Sequence, residues 1–270
     1  MKCFKSIISY FVKNFWFLML FSIIPAVFVG LLLKPFQFVE FVFDYPSLTL
    51  GGFADFFNGI IPFDWLTILL SVLGLILTAS ILSMLLGKME KHFRIGKNSF
   101  SLRDTGFNNN FASVLLATFC IAVCYFIIAL LGAVLIMLFN FIFASSAMVL
   151  SVMLSYVVVF LAYFLLSAVT LHFGVVASDM MIMGSTFATA MSNTSQAIHK
   201  NTFQNWLVGF IPFALAILLT LLGSWLGVVW LTNILSMLII LPYYSVFVMI
   251  VLFDHYGLTR YDTRSYYSLK

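Results

Sequence analysis

The sequence predicts an all-α membrane protein: six transmembrane helices, both ends in the cytoplasm, and amphipathic helices lying along the interface. Three observations carry that reading. The 270 residues are 63% hydrophobic and only 8% charged, with a mean hydropathy of +1.14, whereas soluble domains carry roughly a quarter charged residues. Six uncharged apolar runs are each long enough to cross a bilayer. Finally, the basic residues partition by side. Three precede the first run, five lie between the second and third, one between the fourth and fifth, and three in the tail, against Lys34 alone on the opposite side. Lys and Arg stay in the cytoplasm, so this asymmetry orients the chain.

Taken in order, the start places Lys2, Lys5 and Lys13 among Phe4, Ile7, Ile8, Phe11 and Val12, the pattern of a helix lying in the interface. The first span covers about residues 15–33; it is too long for a signal-peptide core and Lys34 follows it directly. Pro25 within it is a kink that membrane helices tolerate.

The external connection, 34–64, holds Glu40, Asp44, Asp55 and Asp64 and is crowded with Phe, so it is expected to fold onto or dip into the outer interface. The second span, 65–86, leads into the cytoplasmic connection 87–111, the one long polar interruption in the chain. Spans three and four cover 112–139 and 148–176, and a second cytoplasmic connection, 177–205, reads as another interfacial helix. Spans five and six cover 206–222 and 226–253, and the cytoplasmic tail runs over 254–270. The whole is one polytopic domain with no room for a soluble one.

Asn followed by an aromatic opens each odd-numbered span, at Asn14-Phe15, Asn110-Phe111 and Asn205-Trp206, with almost equal steps between them. That spacing raises a threefold repeat of interfacial helix plus transmembrane hairpin.

As drawn, no charged side chain falls within a span, which argues against proton-coupled carriers, pumps and voltage sensors, whose mechanisms need a charge in the field. H-E-x-x-H, G-x-S-x-G, P-loop and C-x-x-C patterns are missing, so no catalytic residue, cofactor or metal is predicted. Cys120 and Cys124, four apart, have no His or carboxylate beside them in their span and read as packing thiols. The positive charge is explained by topology and not by nucleic acid.

The best candidates for contact with lipid headgroups or a docking partner are Lys88, Lys91, Arg94, Lys97 and Arg103. Weaker ones are Glu40 and Asp44, which would share a helix face, and His172, expected to be neutral and hydrogen-bonded to a neighbouring helix.

In layout, though in no motif, the chain resembles the membrane subunits of some bacterial ABC-type exporters. The resemblance implies a cytoplasmic ATPase contacting the segment from Lys88 to Arg103; the large external first loop and the very short last one depart from that layout. The leading expectation is a multi-pass component of a bacterial inner membrane, without a catalytic site of its own, that handles lipid or amphiphile or belongs to a transport assembly. Its partners would be membrane lipids and an ATPase or another membrane subunit, in an oligomeric state the sequence leaves open. Two alternatives stand beside it. One is an interfacial envelope enzyme using the external carboxylates. The other is a passive channel lined by Ser151, Ser155, Tyr156, Asn233 and Ser236.

Overall fold

The computed structural model describes residues 2–44, 65–96, 107–143, 148–199 and 202–261. Over these residues it is all-helical, 93% helix with no strand, and holds six helices long and apolar enough to span a membrane.

Helix α1 (Lys2–Lys13) buries Ile7 and Tyr10 and leaves Lys5 and Lys13 exposed, so its charge pattern sorts the two faces. Asn14 stands between it and α2 (Phe15–Phe28), the first span, which ends in a π-helical turn at Val29–Leu33. That turn has a cause in packing. Gly30 passes so near α9 (Val229–His255), the sixth span, that a Cβ there would stand 2.9 Å from the Ile234 backbone.

Lys34 closes the turn in the left-handed region (φ 41°), and its amide donates to the Val29 carbonyl at 3.1 Å. The chain then turns back inward as α3 (Gln37–Asp44). Phe36, Phe38, Val39 and Val42 are buried, Phe36 stacks on Tyr163, and the Tyr163 hydroxyl donates to the Pro35 carbonyl at 2.8 Å. This part of the aromatic loop therefore plugs one end of the bundle.

The remaining helices are α4 (Trp65–Ile95), α5 (Phe107–Phe143), α6 (Met148–Met183), α7 (Phe187–His199) and α8 (Thr202–Leu226). Most overrun the limits set by hydropathy, because a helix does not stop where its composition turns polar. It stops where the backbone can: α6 runs to Met183 and ends at Gly184, whose φ of 66° only glycine adopts at no steric cost. The segment 177–205 is thus not a single interfacial helix but the end of a span, a turn and the amphipathic α7.

Helix α9 is the axis. Its apolar window is 72% buried, against 22% for α5, and it touches α1, α2, α4, α6, α7 and α8. One tyrosine on it answers a backbone defect in α8, and the next ties three helices together. Pro212 has no N–H to give the Val208 carbonyl, and the Tyr243 hydroxyl donates to that carbonyl instead at 2.8 Å. The Tyr244 hydroxyl is shared between the carbonyls of Gly209 (2.8 Å) and Ser167 (3.0 Å), tying α9 to α8 and α6. In hydrocarbon, where water cannot satisfy a freed carbonyl, this is how a proline is accommodated.

Both ends of the described chain meet at the bundle end opposite α3. There Tyr10 hydrogen-bonds His92 (2.8 Å), Arg260 donates to Ser6 (3.0 Å) and lies over the Phe93 ring, and the Tyr261 amide donates to the Phe93 carbonyl (2.8 Å).

Candidate functional site

The site that the helices build is a long apolar groove of about 570 Å³, within the range of small-molecule pockets. Three stripes form it. Along α4 the lining runs through Thr67, Ser71, Leu75, Thr78, Leu82 and Leu86, a rise of roughly 28 Å and so about the thickness of the hydrocarbon core. Along α5 it includes Val114, Ala117, Thr118, Ile121, Ala122 and Tyr125, at helical spacing. The third stripe, Met237, Ile240, Leu241, Tyr244, Ser245 and Val248, belongs to α9. Leu166, Thr170, Gly174 and Ala177 of α6 also contribute.

Why a groove persists here follows from the packing of α4. Its first turns are largely uncovered, with Trp65, Leu66, Leu69, Leu70, Val72 and Leu73 exposed, while Gly74 rests against Leu32 and Phe28 of the first span. Toward its other end α4 is buried, at Leu82, Leu85, Leu86 and Met89. The wall is therefore thinly covered at the α3 end and closely packed at the other.

The polar groups are few and unevenly placed. Lys34, Gln37, Thr67 and Ser71 cluster at the α3 end, and among the described residues Lys34 is the only charged one in the lining. Deeper in, the Thr118 and Thr170 hydroxyls are occupied by carbonyls of their own helices. Thr78, 2% exposed, keeps a hydroxyl without a hydrogen-bond partner among the described residues. Such a surface excludes water and offers no cluster for acid-base work. It suits a hydrocarbon chain, with the Thr78 hydroxyl left to meet an occasional polar atom.

The sequence-predicted residues lie elsewhere. Lys88, Lys91 and Arg94 are all on the last turns of α4, but they do not form one open face: Lys88 is buried, and Arg94 pairs with Glu90 at 3.1 Å while reaching the Ile182 carbonyl. Both Lys88 and Lys91 have interactions of their own. Lys97, Arg103, Asp55 and Asp64 are outside the described residues. Glu40 is partly buried on α3 and engaged, and Asp44 ends that helix.

His172 is half-buried, edge-on to Phe173. The nearby Ser167 and Thr170 hydroxyls bond to carbonyls of their own helix. Ser151 bonds Asn140 of α5 and so joins two helices, while Ser155 bonds the Ser151 carbonyl within its own helix. No group of three or more His, Cys, Asp or Glu side chains placed to hold a metal occurs among the described residues.

A polar cluster that sequence reasoning missed sits at the far end of α6. Asp179, fully buried, accepts hydrogen bonds from Tyr256 (2.7 Å) and Asn193 (3.2 Å), which joins α6, α7 and the chain following α9. Burial, and then the Asp179 carboxylate, push the Tyr256 phenol up to about 12, so it remains a donor throughout the physiological range. Among these residues only Asp179 could have been flagged in advance, as a lone acid next to an apolar run.

Fold and groove together define a multi-pass membrane protein with an apolar groove among its spans. Comparison with protein-family models, with curated proteins and with solved structures finds no match for the chain.

Proposed function

We propose that this protein is a lipid- or amphiphile-handling membrane component that acts by holding an acyl chain in the groove between α4, α5 and α9. The groove itself carries the reading: mainly apolar along a bilayer's thickness, with scattered hydroxyls and, among the described residues, its single charged residue at the α3 end. A chain entering from the membrane would exchange lipid neighbours for helix neighbours, so the energetic gain is in packing and not in dehydration.

The proposal takes the protein to sit in a bacterial inner membrane with the α3 end outward. The meeting of α1 and Arg260 with the basic end of α4 supports that orientation. In it, α1 and α7 are cytoplasmic interfacial helices, each preceding a helical pair, which supports the threefold repeat for its first and third units. Any ATPase or second membrane subunit would dock at the basic end. The buried Lys88 leaves less charge there than the sequence implies.

The test is retention of lipid by the purified full chain under native mass spectrometry. Ala122→Trp places an indole in the groove and should abolish the tightly held lipid, while Leu131→Trp, on the exposed side of the same helix, should not. Equal retention by both variants would refute the proposal.

A further inference from the structure

We infer that the α3 end of the groove is a headgroup site selective for anionic phospholipid, with Lys34 as its positioning charge; this rests on the groove holding an acyl chain. Three observations converge on it. Lys34 is the only charged residue in the lining among the described residues, so its field at the mouth is not cancelled by an acid of that lining. Its backbone is held at φ 41°, ψ 59°, a left-handed conformation disfavoured for a residue with a Cβ and one that a residue before proline also avoids. The surroundings impose it: the π-turn ahead is pinned by the Gly30 approach to α9, and Pro35 behind is held by Tyr163. An outlier fixed from both sides is the kind of strain found at ligand clamps.

The third observation is chemical. Gln37 and Ser71 line the same groove as Lys34, adding an amide and a hydroxyl to the polar groups of its lining. A phosphodiester with an uncharged or hydroxylated substituent is complementary to that set. A quaternary ammonium headgroup would bring a second cation toward Lys34. Because chain packing discriminates weakly between lipids, the headgroup contact decides which one stays. Lys34 was legible in the sequence only as the single basic residue on the wrong side; the groove gives that exception a reason.

The experiment titrates the full chain with phosphatidylglycerol and phosphatidylcholine of identical acyl chains and reads bound lipid by native mass spectrometry. One basic residue at an anionic surface contributes about 1 kcal/mol, so Lys34→Gln should lower the preference for phosphatidylglycerol about fivefold. Lys34→Arg should keep it, and raising the salt should weaken it in the native chain. An unchanged preference in Lys34→Gln, with lipid still retained, would overturn the headgroup assignment and leave the groove intact. Retention unchanged by Ala122→Trp would instead remove the groove reading itself.

Discussion

Tyr243→Phe isolates one hydrogen bond whose need is written into the chain by a proline. Pro212 deprives the Val208 carbonyl of its helical partner, and Tyr243, 5% exposed, supplies the replacement at 2.8 Å. Removing the hydroxyl leaves the carbonyl orphaned among buried neighbours. Interhelical bonds in membranes average about 0.6 and reach about 1.7 kcal/mol, whereas an unsatisfied buried acceptor costs about 1–3 kcal/mol. A loss of about 1–2 kcal/mol is therefore expected. The Pro212→Ala background restores an N–H four residues on from Val208, so the same Tyr243→Phe change should then cost less than about 0.5 kcal/mol. Reversible unfolding of the four proteins in detergent micelles measures the coupling. Additive effects, with Tyr243→Phe equally costly in the native and the Pro212→Ala backgrounds, would refute the reasoning.

Other predictions follow from single contacts. Gly30→Ala should destabilise the bundle by about 1–3 kcal/mol, because its Cβ meets the Ile234 backbone at 2.9 Å and backbone cannot swing aside; Gly74→Ala, facing the flexible Leu32 side chain at 3.2 Å, should fall well below that in the same unfolding assay. Asp179→Ala removes the acceptor for both Tyr256 and Asn193 and should speed hydrogen exchange in α7, whereas Asp179→Asn keeps the Tyr256 bond and should show a smaller change. The Cys3 thiol is pushed from 9.0 up to about 11, first by burial and then by Asp254. At pH 8 its thiolate fraction is thus about 100-fold below that of an ordinary thiol, and alkylation should be correspondingly slow, accelerating about tenfold per pH unit toward pH 11.

Sequence patterning discloses the scaffold well and the groove hardly at all, for a physical reason. Uninterrupted apolar runs mark α2, α4, α5, α6, α8 and α9, since no other environment accepts them. Yet the residues lining the groove, such as Leu75, Ile121 and Ile240, have the composition of residues facing lipid, and only the packing of the helices separates the two surfaces. Pro212 is visible as a residue that frees a carbonyl, but Tyr243, 31 positions on, becomes its partner only when α8 and α9 pack. Asp179 escaped for a different reason: hydropathy falls before it, while α6 continues until Gly184 allows a turn. Lys88, Lys91 and Arg94 share one helix end as their spacing implies, although burial of Lys88 divides the charge.

The central claim is that an acyl chain occupies the space between α4, α5 and α9. Photo-crosslinking the purified chain in vesicles with a phospholipid carrying a diazirine on its acyl chain, then mapping the adducts by peptide mass spectrometry, tests it most directly. Adducts concentrated on Leu75, Ile121, Tyr125 and Leu241 are predicted. Adducts confined to exposed positions such as Leu131, Phe160 and Leu218, with none in the groove, would contradict it.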